Sequence, residues 1–230
     1  MTFLTIGHRG VMGVEPENTL RSFVRAERSG MDVLALDLRL SKDGALVVLH
    51  DADVDRTTDG SGAVADLTLA ELRGLDAGDG QQVPLLEEVL DAVRAPLRVQ
   101  VHELSAVRPF AELLLRRDLT GRVEVASFVD EVLVEAAGLV PGLRTVLYVN
   151  QGTADAGAAI GRAVAAGAET IALNIQHLTP HTVEAAHEAG LRVTGWTVNS
   201  LERLRLARAL ELDGVLTDFP EIRSTGRFTA

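Results

Sequence analysis

Two histidines carry the first chemical signal in this chain. His8 closes the apolar run Thr5-Ile6-Gly7 and is followed by Arg9 and Gly10. His50 closes Val47-Val48-Leu49 and is followed by Asp51. An imidazole at the end of a strand stands at the rim of a sheet, where its acid/base chemistry meets whatever binds there. Two such ends in one fold can set a proton donor and a proton acceptor on opposite sides of one scissile bond.

Strands must position those ends, and the sequence predicts eight of them, over 3–7, 33–38, 97–102, 123–126, 145–149, 170–174, 192–198 and 214–217. Amphipathic stretches lie between most of them. Leu20, Phe23 and Val24 share one helical face, as do Leu201, Leu204 and Ala207. Asn18 or Thr19 is placed to cap the first helix, and Gly30, Gly167 and Gly190 fall where helices close on a left-handed residue. This alternation predicts an α/β fold, a (β/α)8 barrel. Ser41-Lys42-Asp43-Gly44 interrupts it with a hairpin turn, after which 45–49 returns as a strand. No helix fits in that turn, so the returning strand cannot join a parallel barrel. It belongs to an insertion, about 39–84, that carries His50 back over the barrel mouth. The expected organisation is a single domain over 1–230. His8, Asp37, His102, Asn174, Trp196 to Asn199 and Asp218 all fall at or just past predicted strand ends, where barrels of this kind bind their ligands.

Composition narrows the function classes. The net charge of −11 argues against nucleic acid and an anionic membrane surface as partners. The chain has no cysteine, which excludes disulfides and thiolate chemistry. No apolar run reaches membrane-spanning length, and the start, Met1 to Ile6, has no basic leader region. A cytoplasmic protein is expected. Aromatic residues make up only 3%, so the core must rest on Leu, Val and Ala.

A wider set of motifs accompanies the histidines. In chain order these are His8-Arg9-Gly10, Pro16-Glu17-Asn18-Thr19, Asp37, Ser41-Lys42-Asp43-Gly44, His50-Asp51 and Asp55-Arg56-Thr57-Thr58. They continue with Ser127-Phe128, Trp196-Thr197-Val198-Asn199 and Thr217-Asp218-Phe219-Pro220. Each is weak alone, but the ordered set is specific. Over essentially its whole length the chain resembles the glycerophosphodiester phosphodiesterase family. The resemblance implies a TIM barrel with a small insertion after the second strand, in agreement with the reading above. It implies a hydrolase of glycerol and lipid metabolism whose small-molecule phosphodiester substrate is cleaved to glycerol phosphate and an alcohol, with two histidines and a divalent metal. Carried over, His8 and His50 are the acid/base pair and Asp37 is a metal ligand. Arg9 holds a phosphate oxygen, a task its planar fork suits.

The chain departs from the family pattern at the metal. The family's Glu-x-Asp on the second strand is here Ala35-Leu36-Asp37, and its Glu-x-Lys on the next barrel strand is Gln100-Val101-His102. Two of three acidic ligands are gone. Mg²⁺ and Ca²⁺ depend on oxygen ligands and their charge, so either ion is expected to be weakly bound or absent. His102 shares a strand face with Gln100 and is expected to face Asp37 or to join His8 and His50. Three histidines and one Asp would also suit a softer ion such as Zn²⁺. Asp37 could instead serve only to pair with Arg9 or Arg39. Gln100 reads as a hydrogen-bonding pocket residue, Trp196 as a pocket wall with one donor, and Glu17 and Asn18 as substrate-facing or helix-capping. Glu103 points to the opposite face from His102. His177, His181 and His187 read as surface residues, and Asp218 as an acceptor or loop cap. The function expected is phosphodiester hydrolysis by two-histidine acid/base catalysis with weakened or absent metal dependence. Two alternatives remain: an impaired pseudoenzyme that binds a phosphodiester-like anion, and a repurposed metal-independent enzyme on the same barrel.

Overall fold

The computed structural model describes residues 3–150 and 156–224. Met1 and Thr2, which head the stretch read as free of a leader, lie outside the described residues. The strands are β1 (Leu4–His8), β2 (Val33–Leu40), β3 (Leu46–Val48), β4 (Leu97–Val101), β5 (Val123–Ser127), β6 (Arg144–Val149), β7 (Thr170–Asn174), β8 (Arg192–Trp196) and β9 (Gly214–Thr217). The helices are α1 (Leu20–Arg28), α2 (Leu69–Arg73), α3 (Leu86–Ala92), α4 (Val107–Arg117), α5 (Asp130–Leu139), α6 (Ala156–Ala165), α7 (Pro180–Glu188), α8 (Leu201–Ala209) and α9 (Glu221–Ser224). None of the described helices is long and apolar enough to cross a membrane.

All strands but β3 run parallel, and the sheet closes because β1 pairs with β9 on one side and β2 on the other. This is the expected (β/α)8 barrel. The strands are buried on both faces, so their alternation sorts two kinds of packing rather than core from solvent. Leu34, Leu36 and Leu38 of β2 face the helices in one apolar cluster, with partners such as Val99, Phe110 and Val193. Val33 and Ala35 face the barrel interior with Ile6, Ala126, Val146, Tyr148, Ala172 and Leu216. Three of these inner positions are alanines.

The boundaries differ from expectation where tertiary pairing intervenes. β2 runs on to Leu40, because Leu38, Arg39 and Leu40 pair antiparallel with Val48, Val47 and Leu46 of β3. The turn between them is held by Ser41, whose Oγ accepts from Ala45 N at 2.8 Å and donates to Asp43 Oδ1 at 2.7 Å. The segment after β3 packs on its own small core of Val47, Leu49, Val54, Val64, Leu72 and Val83. Within it, α2 starts from a capping box, with Thr68 and Glu71 satisfying each other's backbone N–H. Thr19, not Asn18, caps α1 by accepting from Ser22 N, which leaves the Asn18 side chain for other work.

Deep in the barrel, Arg98 Nε donates to Glu124 Oε1 at 2.6 Å, and Arg98 NH1 donates to Thr194 Oγ1 at 3.2 Å. Both members of the ion pair are buried. Removing one partner leaves a lone charge in a dry interior, at a cost of roughly 3–5 kcal/mol. Glu124→Gln should therefore lower the urea midpoint strongly, while Arg98→Met with Glu124→Leu should cost less than the two single changes added. Additive losses in that cycle would show that the two side chains are not coupled.

Candidate active site

The turn after β1 builds one half of the site. Gly10 has φ +82, and a side chain there would run into Ser22, its Cβ 2.2 Å from Ser22 Oγ. The turn thus lies directly on α1, where Ser22 Oγ accepts from Val11 N at 2.9 Å and donates to Arg9 O at 3.0 Å. Arg9 and Asn18 both adopt left-handed backbone, φ 50 and 57. A non-glycine residue in that region carries strain that its surroundings must hold.

What holds them is Asp37. Its carboxylate is buried at the end of β2. Asn18 Nδ2 donates to Oδ2 at 3.0 Å, and Arg9 Nε lies 3.2 Å from the same oxygen as an ion pair without hydrogen-bond alignment. His102 Nε2 donates to Oδ1 at 3.0 Å. Burial alone would raise this carboxyl, but the His102 hydrogen bond, the Arg9 guanidinium and the nearby His102 and His50 imidazoles hold it well below the ordinary carboxylate range.

Each rim histidine has its own carboxylate. His8 Nδ1 donates to Asp218 Oδ1 at 2.7 Å, and Asp218 is fixed in turn by Asn199 Nδ2 at 2.6 Å. His50 Nδ1 donates to Asp51 Oδ1 at 2.5 Å, and Asp51 Oδ2 accepts from Arg56 Nε at 2.5 Å. The Nδ1 partner sets the tautomer and ring plane and leaves Nε2 for chemistry. Burial raises Asp218, but the His8 hydrogen bond wins and lowers it overall. The Arg56 hydrogen bond brings Asp51 down to about 2. Burial lowers His50 below the usual imidazole value despite the opposing pull of Asp37 and Asp51.

The two halves are joined by ion pairs. Arg56 forks onto Glu17 with two bonds of 2.8 Å, and Glu17 Oε1 also accepts from Arg9 NH1 at 2.7 Å. Arg9 NH2 makes no hydrogen bond among the described residues and remains open to an anion. Arg39 does not pair with Asp37; it donates twice to His50 O, at 3.0 and 2.7 Å, and so clamps the end of the hairpin.

A cavity of about 140 Å³ is lined by His8, Arg9, His50, Gln100, Phe128, Tyr148, Trp196, Thr197 and Leu216. A larger groove of about 340 Å³ between the hairpin and α4 contains none of these groups and lies away from the barrel mouth. Sequence reasoning placed His8, Arg9, His50, Gln100 and Trp196 at the mouth, and the structure brings them to one cavity. Glu17, Asn18, Asp37 and His102 stand behind it as the charged frame. The Trp196 indole donates to Ala172 O at 3.2 Å, so its N–H is spent on the barrel. His102 meets both Asp37 and His50, with the imidazole rings 5.3 Å apart and edge-on, rather than His8. Glu103 accepts from Leu40 N, away from the mouth. His177, His181 and His187 are exposed.

Sequence reasoning missed Asp51, Arg56 and Asn199 as supports, the pairing of Asp218 with His8, and Phe128 and Tyr148 as walls. The two aromatics stack at 5.3 Å, with Trp196 edge-on to both. One signal was available: the chain's single Tyr and single Trp both fall on inward positions of predicted strands.

The donors for a metal are also defined. Among the described residues, Asp37, His50 and His102 each offer a ligand atom, all within 4.8 Å of one another. This set has one carboxylate and two imidazoles. Hard cations favour charged oxygen ligands, of which this set offers only Asp37, and Ala35 is part of the apolar interior. An Mg²⁺ or Ca²⁺ site of the carboxylate kind does not fit.

Residues 8–222 match the model of the glycerophosphoryl diester phosphodiesterase family. A glycerophosphodiester phosphodiesterase of Caldanaerobacter subterraneus subsp. tengcongensis is 33% identical, over 96% of each chain. A Bacillus subtilis glycerophosphodiester phosphodiesterase is 33% identical, over 95% of this chain and 84% of that protein. Among solved structures, a phosphodiesterase of Oleispira antarctica in complex with the product sn-glycerol-3-phosphate superimposes with a TM-score of 0.88. It is 27% identical, over 96% of this chain and 95% of that one.

The lowered carboxyls, Asp37 and Asp218 among them, make stability depend on pH. As pH falls, the unfolded chain takes up protons at Asp37 and Asp218 before the folded chain does. Their contribution is complete above the unfolded value, about pH 4, and is lost as pH falls through the lower folded values. Urea midpoints should hold from pH 7 to about 5 and then drop. Asp218→Asn should start lower and fall less over the acid range. A profile parallel to that of the native chain would show that Asp218 carries none of the linkage.

Proposed function

The chain belongs to the glycerophosphoryl diester phosphodiesterase family and is a phosphodiester hydrolase, and on that premise we propose that it cleaves glycerophosphodiesters with His8 and His50 and without an Mg²⁺ or Ca²⁺ ion. The observation that carries the reading is the pair of carboxylate-tethered imidazoles lining one cavity beside Arg9. The product held by the Oleispira relative supports a glycerophosphodiester as substrate.

In this reading Arg9 holds a phosphate oxygen with NH2. His50, kept neutral by burial, takes the proton of the attacking hydroxyl at Nε2 as the new O–P bond forms. His8, in its imidazolium form, gives its Nε2 proton to the leaving alcohol oxygen as the old P–O bond breaks. The attacking hydroxyl is either water or the neighbouring hydroxyl of the substrate's own glycerol, which gives a cyclic phosphate. Asp51 and Asp218 do not take the protons; they hold ring and tautomer and stabilise the imidazolium. Phe128, Tyr148 and Trp196 supply an apolar wall on one side of the cavity.

Turnover is measured as alcohol release from a panel of glycerophosphodiesters. His8→Ala and His50→Ala should each lower kcat by about 10²–10⁴-fold, the usual worth of a positioned acid or base. Chelation should leave the native rate unchanged. The double variant Ala35→Glu with Gln100→Glu should become dependent on Mg²⁺ or Ca²⁺. A native rate abolished by chelator would defeat the metal-independent mechanism. No turnover on any diester by folded protein would defeat the activity itself.

A further inference from the structure

Asp37, His50 and His102 are grouped by backbone as well as by charge. Leu49 N donates to Asp37 O at 3.1 Å, so the residue next to His50 is bonded directly to the strand that carries Asp37. His102 Nε2 and Asp37 Oδ1 stand 3.0 Å apart. Metal–ligand bonds of about 2.0–2.1 Å at tetrahedral angles put neighbouring ligand atoms roughly 3.3 Å apart, so this edge is nearly preformed. We propose that the triad is a binding site for a divalent transition-metal ion of the zinc class, and that the ion silences the enzyme by occupying the His50 nitrogen used in catalysis. The silencing half rests on the function proposed above; the binding half does not.

The donor set selects the ion. Two imidazoles and a single carboxylate suit zinc, cobalt or nickel, whereas hard cations want oxygens. Three protein ligands leave a fourth position open, which water can fill. The surroundings of each ligand match what such an ion requires. His50 has Nδ1 tied to Asp51, and Asp51 is tied to Arg56, the carboxylate–imidazole support that orients a ligating nitrogen. Asp37 keeps Oδ2 on Asn18 and offers Oδ1. His102 Nε2 cannot keep the proton it donates to Asp37 once it ligates the ion, and the neutral ring then carries its proton on Nδ1. The Gln100 amide nitrogen lies 3.3 Å from His102 Nε2 and 3.5 Å from Nδ1, so it borders both ring nitrogens.

The test uses the full chain, stripped of metal and titrated with Co²⁺ without substrate. A visible absorption band should grow and saturate at one ion per chain. Zn²⁺ should abolish it, and a large excess of Mg²⁺ or Ca²⁺ should not. The band should be absent in His102→Gln and in His102→Lys, which keeps a cation beside Asp37 but offers no lone pair. His181→Gln, at an exposed site, should retain it. Turnover should fall as the band grows and return with chelator. The site is overturned by the absence of a band in the native chain, by a band that both His102 variants retain, or by displacement with Mg²⁺. Turnover that rises with the band overturns His50 as a ligand. Because the band is read without substrate, its failure is distinct from failure of diester cleavage.

Discussion

One buried negative charge organises the mouth of this barrel. An ionised carboxylate away from water is costly unless it is paired and hydrogen-bonded, and Asp37 meets that demand with groups from three separate segments. Arg9 comes from the turn after β1, Asn18 from the end of the same loop, and His102 from just past β4. The left-handed backbone of Arg9 and Asn18 follows from this demand. Each residue accepts an unfavourable conformation because its side chain gains a charge-assisted contact there. The same strand supplies the backbone oxygen that anchors the hairpin through Leu49. Asp37 thus meets the loop after β1 through its side chain and the insertion through its backbone, beside the Arg56–Glu17–Arg9 ion pairs that join the same two segments.

The departures from the family pattern are mutually consistent. Losing carboxylates at positions 35 and 100 removes negative charge that only a bound cation could balance. Ala35 joins the apolar interior with Ile6 and Val33 rather than leaving a gap. His102 then meets Asp37 at hydrogen-bond distance, so the remaining carboxylate is partnered from within the protein. The other acids of the mouth are partnered as well: Glu17 by Arg9 and Arg56, Asp51 by Arg56 and His50, and Asp218 by His8. Each of these carboxylates is thus hydrogen-bonded by the protein's own side chains.

What the sequence made legible was local. The period of two along β2 set Asp37 on the same inward face as Ala35, and the Asp-Gly turn announced the hairpin. The return of His50 over the mouth followed from the fact that no helix fits in that turn. What it hid was pairing across distance. Asp218 lies 210 residues from His8, and no periodicity links a strand-end acid to the first strand. The spans of Arg56 to Glu17 and of Asn199 to Asp218 are likewise products of barrel closure and not of spacing. Asn18 was read as a cap because its type suits one. Thr19 took that role, since Asn18 gains more by reaching a buried carboxylate than by satisfying one backbone N–H.

The two carboxylate-tethered histidines, His8 and His50, are held by the same device but on supports of different kinds. His8 belongs to β1, whose register is fixed on both sides by parallel neighbours. His50 lies two residues past β3, a three-residue strand whose ladder partner is the overhang of β2 and whose other side meets only the stretch Pro84-Leu85. A shift of one residue in that pairing would turn His50 away from the mouth, because side chains alternate faces along a strand. The pairing is not left to three residues. Arg39 grips His50 O, Leu49 bonds Asp37, and Arg56 ties the segment after β3 to Glu17 and through it to Arg9. That last chain makes the Arg9 guanidinium and the His50 imidazole share one set of ion pairs. The hairpin is thus held in register by the same residues that shape the anion site, and neither can be placed correctly without the other.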